Sequence, residues 1–317
     1  MIIKTAPSVR LSKRTNNFHK FLNQIEIQSM VWPGMIFLII FSYIPMYGIL
    51  MAFKRFNLAK PVIWSAKWEG LKYFNEFFGD ENFIRIMKNT LGMNIIGLII
   101  TFPITIIFAL FLNELTNKTF KRLTQTVSYL PHFISWVVYG GIVINILSTD
   151  SGVLNDVLVR INLIKDPMFF LGEPKYFWGV AIISKLIKEL GWSAIIYLAA
   201  ITGVDQEIHE AAVIDGAGRF KRMWHVTLPS ISGTILIMLI LAISGILNSG
   251  FDQIYMLQNS LNISASEVID TYVYKMGLSS MRFSYATAVG LFKSVIAVIL
   301  LLSANFISVK ITDKGLF

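Results

Sequence analysis

The chain alternates long apolar runs with shorter polar connections. Six runs approach the roughly 20-residue length that a helix, rising about 1.5 Å per residue, needs to cross a ~30 Å hydrocarbon layer. They cover about residues 31–53, 89–112, 131–147, 176–201, 231–248 and 285–309. Pro45 and Pro103 fall inside the first two, and Pro45 predicts a kink. The fifth run gives way to Asn248-Ser249-Gly250, where small and polar residues predict a helix break before apolar residues resume. The pattern predicts an all-α polytopic membrane protein. A basic tail (1–30) precedes a six-span membrane domain (31–309), and a short tail (310–317) follows. An even number of spans puts both termini on one side. No internal repeat stands out, which counts against an inverted-repeat carrier.

Composition sharpens this picture. With 55% hydrophobic and 15% charged residues among 317, a soluble domain could not hide its apolar surface in one core. The absence of cysteine excludes a disulfide framework and a thiolate metal site. The net charge of +9 is spread beside apolar runs, where it suits lipid headgroups, rather than gathered into a nucleic-acid patch. Lys4, Arg10, Lys13, Arg14 and Lys20 precede the first run, and no small-residue cleavage site follows it, so a cytosolic tail leading into an uncleaved helix is expected. Charge alone does not orient the spans. Lys54, Arg55, Lys60, Lys67, Lys72, Arg85 and Lys88 crowd after the first run, among Trp64, Trp68, Tyr73, Phe74, Phe77 and Phe78. That segment reads as an interfacial amphipathic stretch. With it set aside, the N-terminal tail and the 118–122 loop favour termini inside the cell membrane, and the slightly acidic loops at 148–175 and 250–284 fit the outside.

The connection at 203–230 is unlike the others. Asp205, Glu207 and Glu210 lead it and Arg219, Lys221 and Arg222 close it, an order that suits the dipole of a short helix or helix pair. Ala211, Ala212, Gly216, Ala217 and Gly218 would let a partner backbone approach, Gly216 and Gly218 permit a sharp turn, and Pro229 fixes the start of the fifth run. Read alone, the segment is equally a solvated helical loop with an ordinary cap.

The same stretch resembles the EAA motif of ABC importer permeases: Glu210-Ala211-Ala212, three residues, Gly216, nine residues, an aliphatic residue, one more, then Leu228-Pro229. Val226 stands where the family usually has isoleucine. The segments 191–200, 250–255, 270–274 and 285–293 are similar to the polysaccharide/aldouronate-type sugar permeases. The resemblance implies a heterodimer with a second homologous permease, two cytosolic ATPase subunits, an extracellular lipid-anchored binding protein and an oligosaccharide substrate. It implies that 203–230 is a cytosolic coupling loop, with Glu210, Ala211, Ala212, Asp215, Gly216, Ala217, Leu228 and Pro229 at the ATPase contact. Glu210 would touch the ATPase and Gly216 would set the bend. The chain has no Gly-x-x-x-x-Gly-Lys-Ser/Thr phosphate loop, so ATP and magnesium belong to a separate subunit and no cofactor is expected here.

Polar residues inside the runs are the candidate pathway. Lys185, Lys188, Glu189 and Trp192 are spaced to share one helical face. A charge at membrane depth costs roughly 2.5–3.5 kcal/mol, so that face must look into protein or water. An indole beside charges suits a sugar, and the lysines would suit uronic acids. The alternative is structural, with Lys185 paired to Glu189 and Lys188 bonded to neighbouring carbonyls. Asn248, Asp252 and Tyr255 fall on nearly one face, as a pathway lining or a helix-end cap. Lys293 is expected to snorkel to headgroups, and Trp136 and Tyr139 to anchor at the interface. His132, His209 and His225 lack metal-ligand spacing, and no acid/base constellation supports an enzyme. The expected function is inward movement of an oligosaccharide by alternating access. The rival is an ion-coupled secondary sugar carrier, in which the intramembrane Lys and Glu serve ion coupling.

Overall fold

The computed structural model describes residues 25–59, 61–312 and 315. Most of the tails expected over 1–30 and 310–317 lie outside the described residues. Among those described, regular structure is helical, apart from one antiparallel bridge between Lys54 and Trp68.

Residues up to Leu50 form a unit of their own. Helix α1 (Ile25–Leu38) passes into a π turn at Ile39–Tyr43 and then a 3-10 helix over Ile44–Phe53. The α geometry stops at Leu38, about two turns before Pro45, whose ring would collide with the Phe41 carbonyl of a continuing α-helix.

The second unit opens on the aromatic segment. Its first part, 53–69, is a closed loop. The Arg55 amide donates to Lys67 and the Glu69 amide to Phe53 (2.8 Å each), while Lys54 Nζ caps the Ile63 and Trp64 carbonyls. Short helix α2 (Lys72–Phe78) leads to α3 (Phe83–Glu114), which runs unbroken through Pro103. Helix α4 (Lys118–Tyr129) is capped by Asn117 and ends in a 3-10 turn, Leu130–Phe133. The chain then bends by 105° into α5 (Trp136–Ile146), whose cap is Ser135. After α6 (Val153–Arg160) comes the 29-residue α7 (Pro174–Thr202). Helices α8 (Gln206–Ile214) and α9 (Arg219–Arg222) fill the 203–230 connection. A π turn (Met223–Thr227) and α10 (Leu228–Ser230) bend by 65° into α11 (Ser232–Ser244). Helices α12 (Phe251–Leu257), α13 (Ile263–Ser266) and α14 (Ile269–Tyr274) precede the long α15 (Phe283–Thr312).

Among the described residues, three helices are long and apolar enough to span a membrane, or up to five if each bent pair is one span. The expectation was six. The remaining run lies on α7, which has the length but carries Lys185, Lys188 and Glu189 at its centre.

Helix association in lipid depends on close packing and polar contacts. Helix α7 packs most extensively against α3. It also lies so near α4 that a Cβ at Gly191 would run into the Ser128 carbonyl. Gly140 of α5 gives α12 the same kind of approach, a Cβ there standing 3.0 Å from Met256. Phe77, Ile86, Tyr272 and Tyr285 bury one end of the unit, and Leu110, Tyr197, Ile201 and Met223 bury another cluster beneath the 203–230 connection. Val298, Leu302 and Phe306 of α15 remain exposed, as a lipid-facing stripe requires.

Candidate functional site

A cavity of about 290 Å³ lies between α3, α7 and the break that follows α11. Asn94, Thr101, Lys185, Asn248, Ser249 and Gln253 give it polar groups amid apolar walls. The break is built locally. Gly250 sits at φ +75°, a left-handed conformation that costs glycine little, and α12 restarts there. Polar contacts hold it: Asn94 Nδ2 donates to Ser249 Oγ at 2.9 Å, and the Ser249 amide donates to Asp270 at 3.1 Å. Gln253 Nε2 donates to the Ala181 carbonyl at 2.6 Å and to Ser184 Oγ at 3.1 Å. Lys293 pairs with Asp270 instead of snorkelling to headgroups.

Of the four residues predicted to share a face of α7, Lys185 stands apart, while Lys188, Glu189 and Trp192 gather round His132, with Lys188 Nζ 3.8 Å from Glu189. Lys185 lines the cavity and is exposed, with no hydrogen bond or ion pair among the described residues. Lys188 is 2% exposed and points the other way. Its Nζ donates to the carbonyls of Pro131 (3.0 Å), His132 (2.7 Å) and Ile134 (2.8 Å), at the 105° bend. Pro131 also accepts from the Ile134 amide at 3.3 Å, and the other two are acceptors that a helix end leaves open, here satisfied by one ammonium. Trp136 and Tyr139 stand 5.2 and 5.8 Å from that ammonium by their ring centroids. Both were expected at the interface, but Tyr139 is buried, its hydroxyl donating to the Ser184 carbonyl at 2.9 Å. Glu189 pairs with His132 (2.6 Å) rather than with Lys185, and the His132 ring stacks on Trp192 at 4.4 Å. Thus Lys185 and Asn248 line this cavity, whereas Lys188, Glu189, Trp192, Asp252 and Tyr255 do not. Asp252 and Tyr255 lie on exposed positions of α12, beyond the break that interrupts the predicted face.

Sequence reasoning missed Asn94, Gln253 and His132. A lone amide inside an apolar run was a usable signal for Asn94. His132 was weighed only as a metal ligand. Asp80 was also missed. Burial pushes its carboxyl up, but hydrogen bonds from Tyr272, Asn82 and Tyr285 outweigh this and hold it below the usual carboxylate range. Among the described residues no three His, Asp or Glu side chains converge on a metal position.

At the 203–230 connection, Asp205 caps α8 by accepting from the Glu207 amide at 3.0 Å. The helix ends in a paired-bond cap. The Gly216 amide donates to the Val213 carbonyl (3.0 Å) and the Ala217 amide to Ala212 (2.9 Å), with Gly216 at φ +74°. Gly218 is extended (φ −66°, ψ 167°) and needs no glycine for its backbone. Glu210, Ala211, Asp215, Gly216 and Pro229 are exposed, and Ala212, Ala217 and Leu228 half-buried. Ile208, Val213 and Ile214 also face outward, Ile214 at 86% exposure, while Met223 and Ile231 anchor the far end in the core.

This chain is similar over most of its length to proteins of one kind. Residues 101–313 match the family described as "Binding-protein-dependent transport system inner membrane component". The chain belongs to this family. The match takes in the whole 203–230 connection and all of the cavity lining except Met93, Asn94, Gly97 and Leu98 of α3. The permease is 44% identical to Protein LplB of Bacillus subtilis (strain 168), covering 90% of this chain and 89% of the relative. It is 40% identical to the polygalacturonan/rhamnogalacturonan transport system permease protein YteP of the same organism, covering 96% and 94%. A chain in the crystal structure of a bacterial ABC transporter involved in import of the acidic polysaccharide alginate superposes with a TM-score of 0.85 at 37% identity, over 93% of the permease and 99% of that chain. The permease is therefore a transport subunit, not an enzyme.

Proposed function

We propose that the permease is the membrane subunit of an ABC importer that moves an acidic oligosaccharide inward, with Lys185 reading the substrate's charge. The observation that carries this is an ammonium with no hydrogen bond or ion pair among the described residues, lining a cavity that sets polar groups amid apolar walls. Such a charge is costly unless water or an anion meets it. Two of the similar proteins handle acidic polysaccharides by their names, which supports the same class here. Asn94, Thr101, Asn248 and Gln253 would take hydroxyls. Lys188, Glu189 and Trp192 act on this reading as the frame behind the cavity. Asp252 and Tyr255 remain on the pathway beyond the break.

The α1 segment, α3, the α4–α5 pair, α7, the α9–α11 pair and α15 make six spans, with both termini and 203–230 in the cytosol. The α8 helix is then the coupling helix. Glu210, exposed Ile208 and Ile214, and the small face of Ala211 and Ala212 meet a cleft on the ATPase. The partners are a second homologous permease, two ATPase subunits holding ATP and magnesium, and a lipid-anchored binding protein. A secondary carrier is less well supported, because Glu189, its candidate ion-coupling carboxylate, is engaged by His132.

Two measurements test these assignments. In liposomes holding the assembled importer, Lys185→Gln should lower uptake of tri- and tetragalacturonate by about tenfold, the worth of one charge-assisted contact, and leave thermal stability unchanged. Undiminished uptake would remove Lys185 from the pathway. Because the chain has no cysteine, Gly218→Cys gives a single label site. It should resist a membrane-impermeant maleimide in intact cells and react after permeabilisation. Labelling in intact cells contradicts the orientation.

A further inference from the structure

We propose that Phe251, Tyr255 and Tyr274 form a stacking platform for a further pyranose ring of the substrate, beyond the ring held at the cavity. This rests on the reading that the cargo is a carbohydrate. The platform adjoins the cavity through the chain itself: Asn248 and Ser249 line the cavity, and α12 begins two residues later. Phe251 and Tyr255, one helical turn apart, stack with centroids 5.2 Å apart and planes at 21°. Tyr274, arriving from α14, stands 5.0 Å from Phe251 and 5.2 Å from Tyr255. Phe251 and Tyr274 are half-buried and Tyr255 is 48% exposed, so the three rings form a braced surface with one open side.

What that side faces follows from its neighbours. Asp252 is exposed next to the rings and has no hydrogen bond or ion pair among the described residues. A bare carboxylate excludes lipid from this side of α12. Gln253 and Ile254 are buried on the other side, and Gln253 is bonded to α7, so the helix cannot turn the rings inward. Aromatic faces beside a free hydrogen-bond acceptor match a pyranose, which offers an apolar C–H face and donating hydroxyls. A carboxylate also repels a uronate. The ring on the platform is therefore held by its hydroxyls with its own acidic group turned away from Asp252, and the acidic group of the ring at the cavity lies at Lys185. A cargo that fills both positions has at least two sugars, which makes the permease sensitive to chain length.

The test uses the assembled importer in liposomes, with galacturonic acid and its linear di-, tri- and tetrasaccharide as probes, and the galactose series of the same lengths as the neutral control. The double variant Tyr255→Ala/Tyr274→Ala should lose about five- to tenfold in uptake efficiency for the tri- and tetrasaccharide, the worth of one aromatic stack. The loss should lie mainly in KM, with the monosaccharide changed less than about twofold and Tyr255→Phe close to wild type. Equal losses at every length, at matched assembly, mean a structural role and overturn the proposal, as does no loss at all. A length effect confined to the neutral series keeps the platform and rejects the acidic substrate. As a readout independent of turnover, Asp252→Cys should be shielded from maleimide by the tetrasaccharide and not by the monosaccharide. No shielding by either series overturns the platform.

Discussion

Gly216→Val should nearly abolish ATP-coupled uptake while the permease still folds and inserts. Gly216 holds φ +74° at the end of α8, and both hydrogen bonds of the cap depend on that turn. A side chain with a Cβ pays roughly 1–2 kcal/mol in the left-handed region, and a β-branched one more. The correctly terminated helix then becomes about 5–30-fold less populated. A clash is not the cause, because a Cβ at this position meets nothing within 4 Å. The change acts by re-aiming α8, and the core beneath it is untouched. Gly216→Asn is the matching control, since asparagine tolerates the left-handed turn. Uptake and substrate-stimulated ATP hydrolysis by the reconstituted complex should fall at least about tenfold for valine and no more than about threefold for asparagine. Equal activity of the two variants would mean that the turn does not transmit force.

Lys188→Met should instead destabilise the permease. The ammonium satisfies three carbonyls at the 105° bend, and the methionine side chain satisfies none. Each buried orphan acceptor costs roughly 1–3 kcal/mol. The summed loss is on the order of 3 kcal/mol or more, with the cation–π contacts to Trp136 and Tyr139 lost as well. The detergent-solubilised complex should melt on the order of 10 °C lower, and tryptophan fluorescence should report it, because Trp136 and Trp192 flank the bend. Lys185→Met, three residues away, should leave the melting temperature unchanged. A stable Lys188→Met protein would show that water or another donor can replace the ammonium.

These two lysines mark the limit of what was legible. The short helix of the 203–230 connection was readable because its determinants are local: a cap at Asp205, a glycine at the helix end and a proline after it act through neighbours in sequence. The two lysines look alike to a helical projection. What separates them is the Pro131–Ile134 turn, more than 50 residues earlier in the chain, which offers its carbonyls to one and not to the other. The projection failed differently at Asn248, Asp252 and Tyr255, because the left-handed Gly250 resets the helix between the first and the other two. The aromatic stretch after the first span read as one amphipathic surface, and its lysine and backbone groups close a loop in its first part. The run over α7 was found by length, and its charges are the reason composition alone does not certify it as a span.

The Lys188 contacts also bear on biogenesis. All three acceptors lie upstream of the ammonium, so during synthesis they leave the ribosome before it does. An α7 released alone into lipid would carry bare charges. Arriving after the bend has formed, it meets a template whose carbonyls solvate one of them. Vectorial translation thus favours the order in which the bent pair is seated first and α7 docks against it, and the least lipophilic helix need not wait for any later segment to be retained.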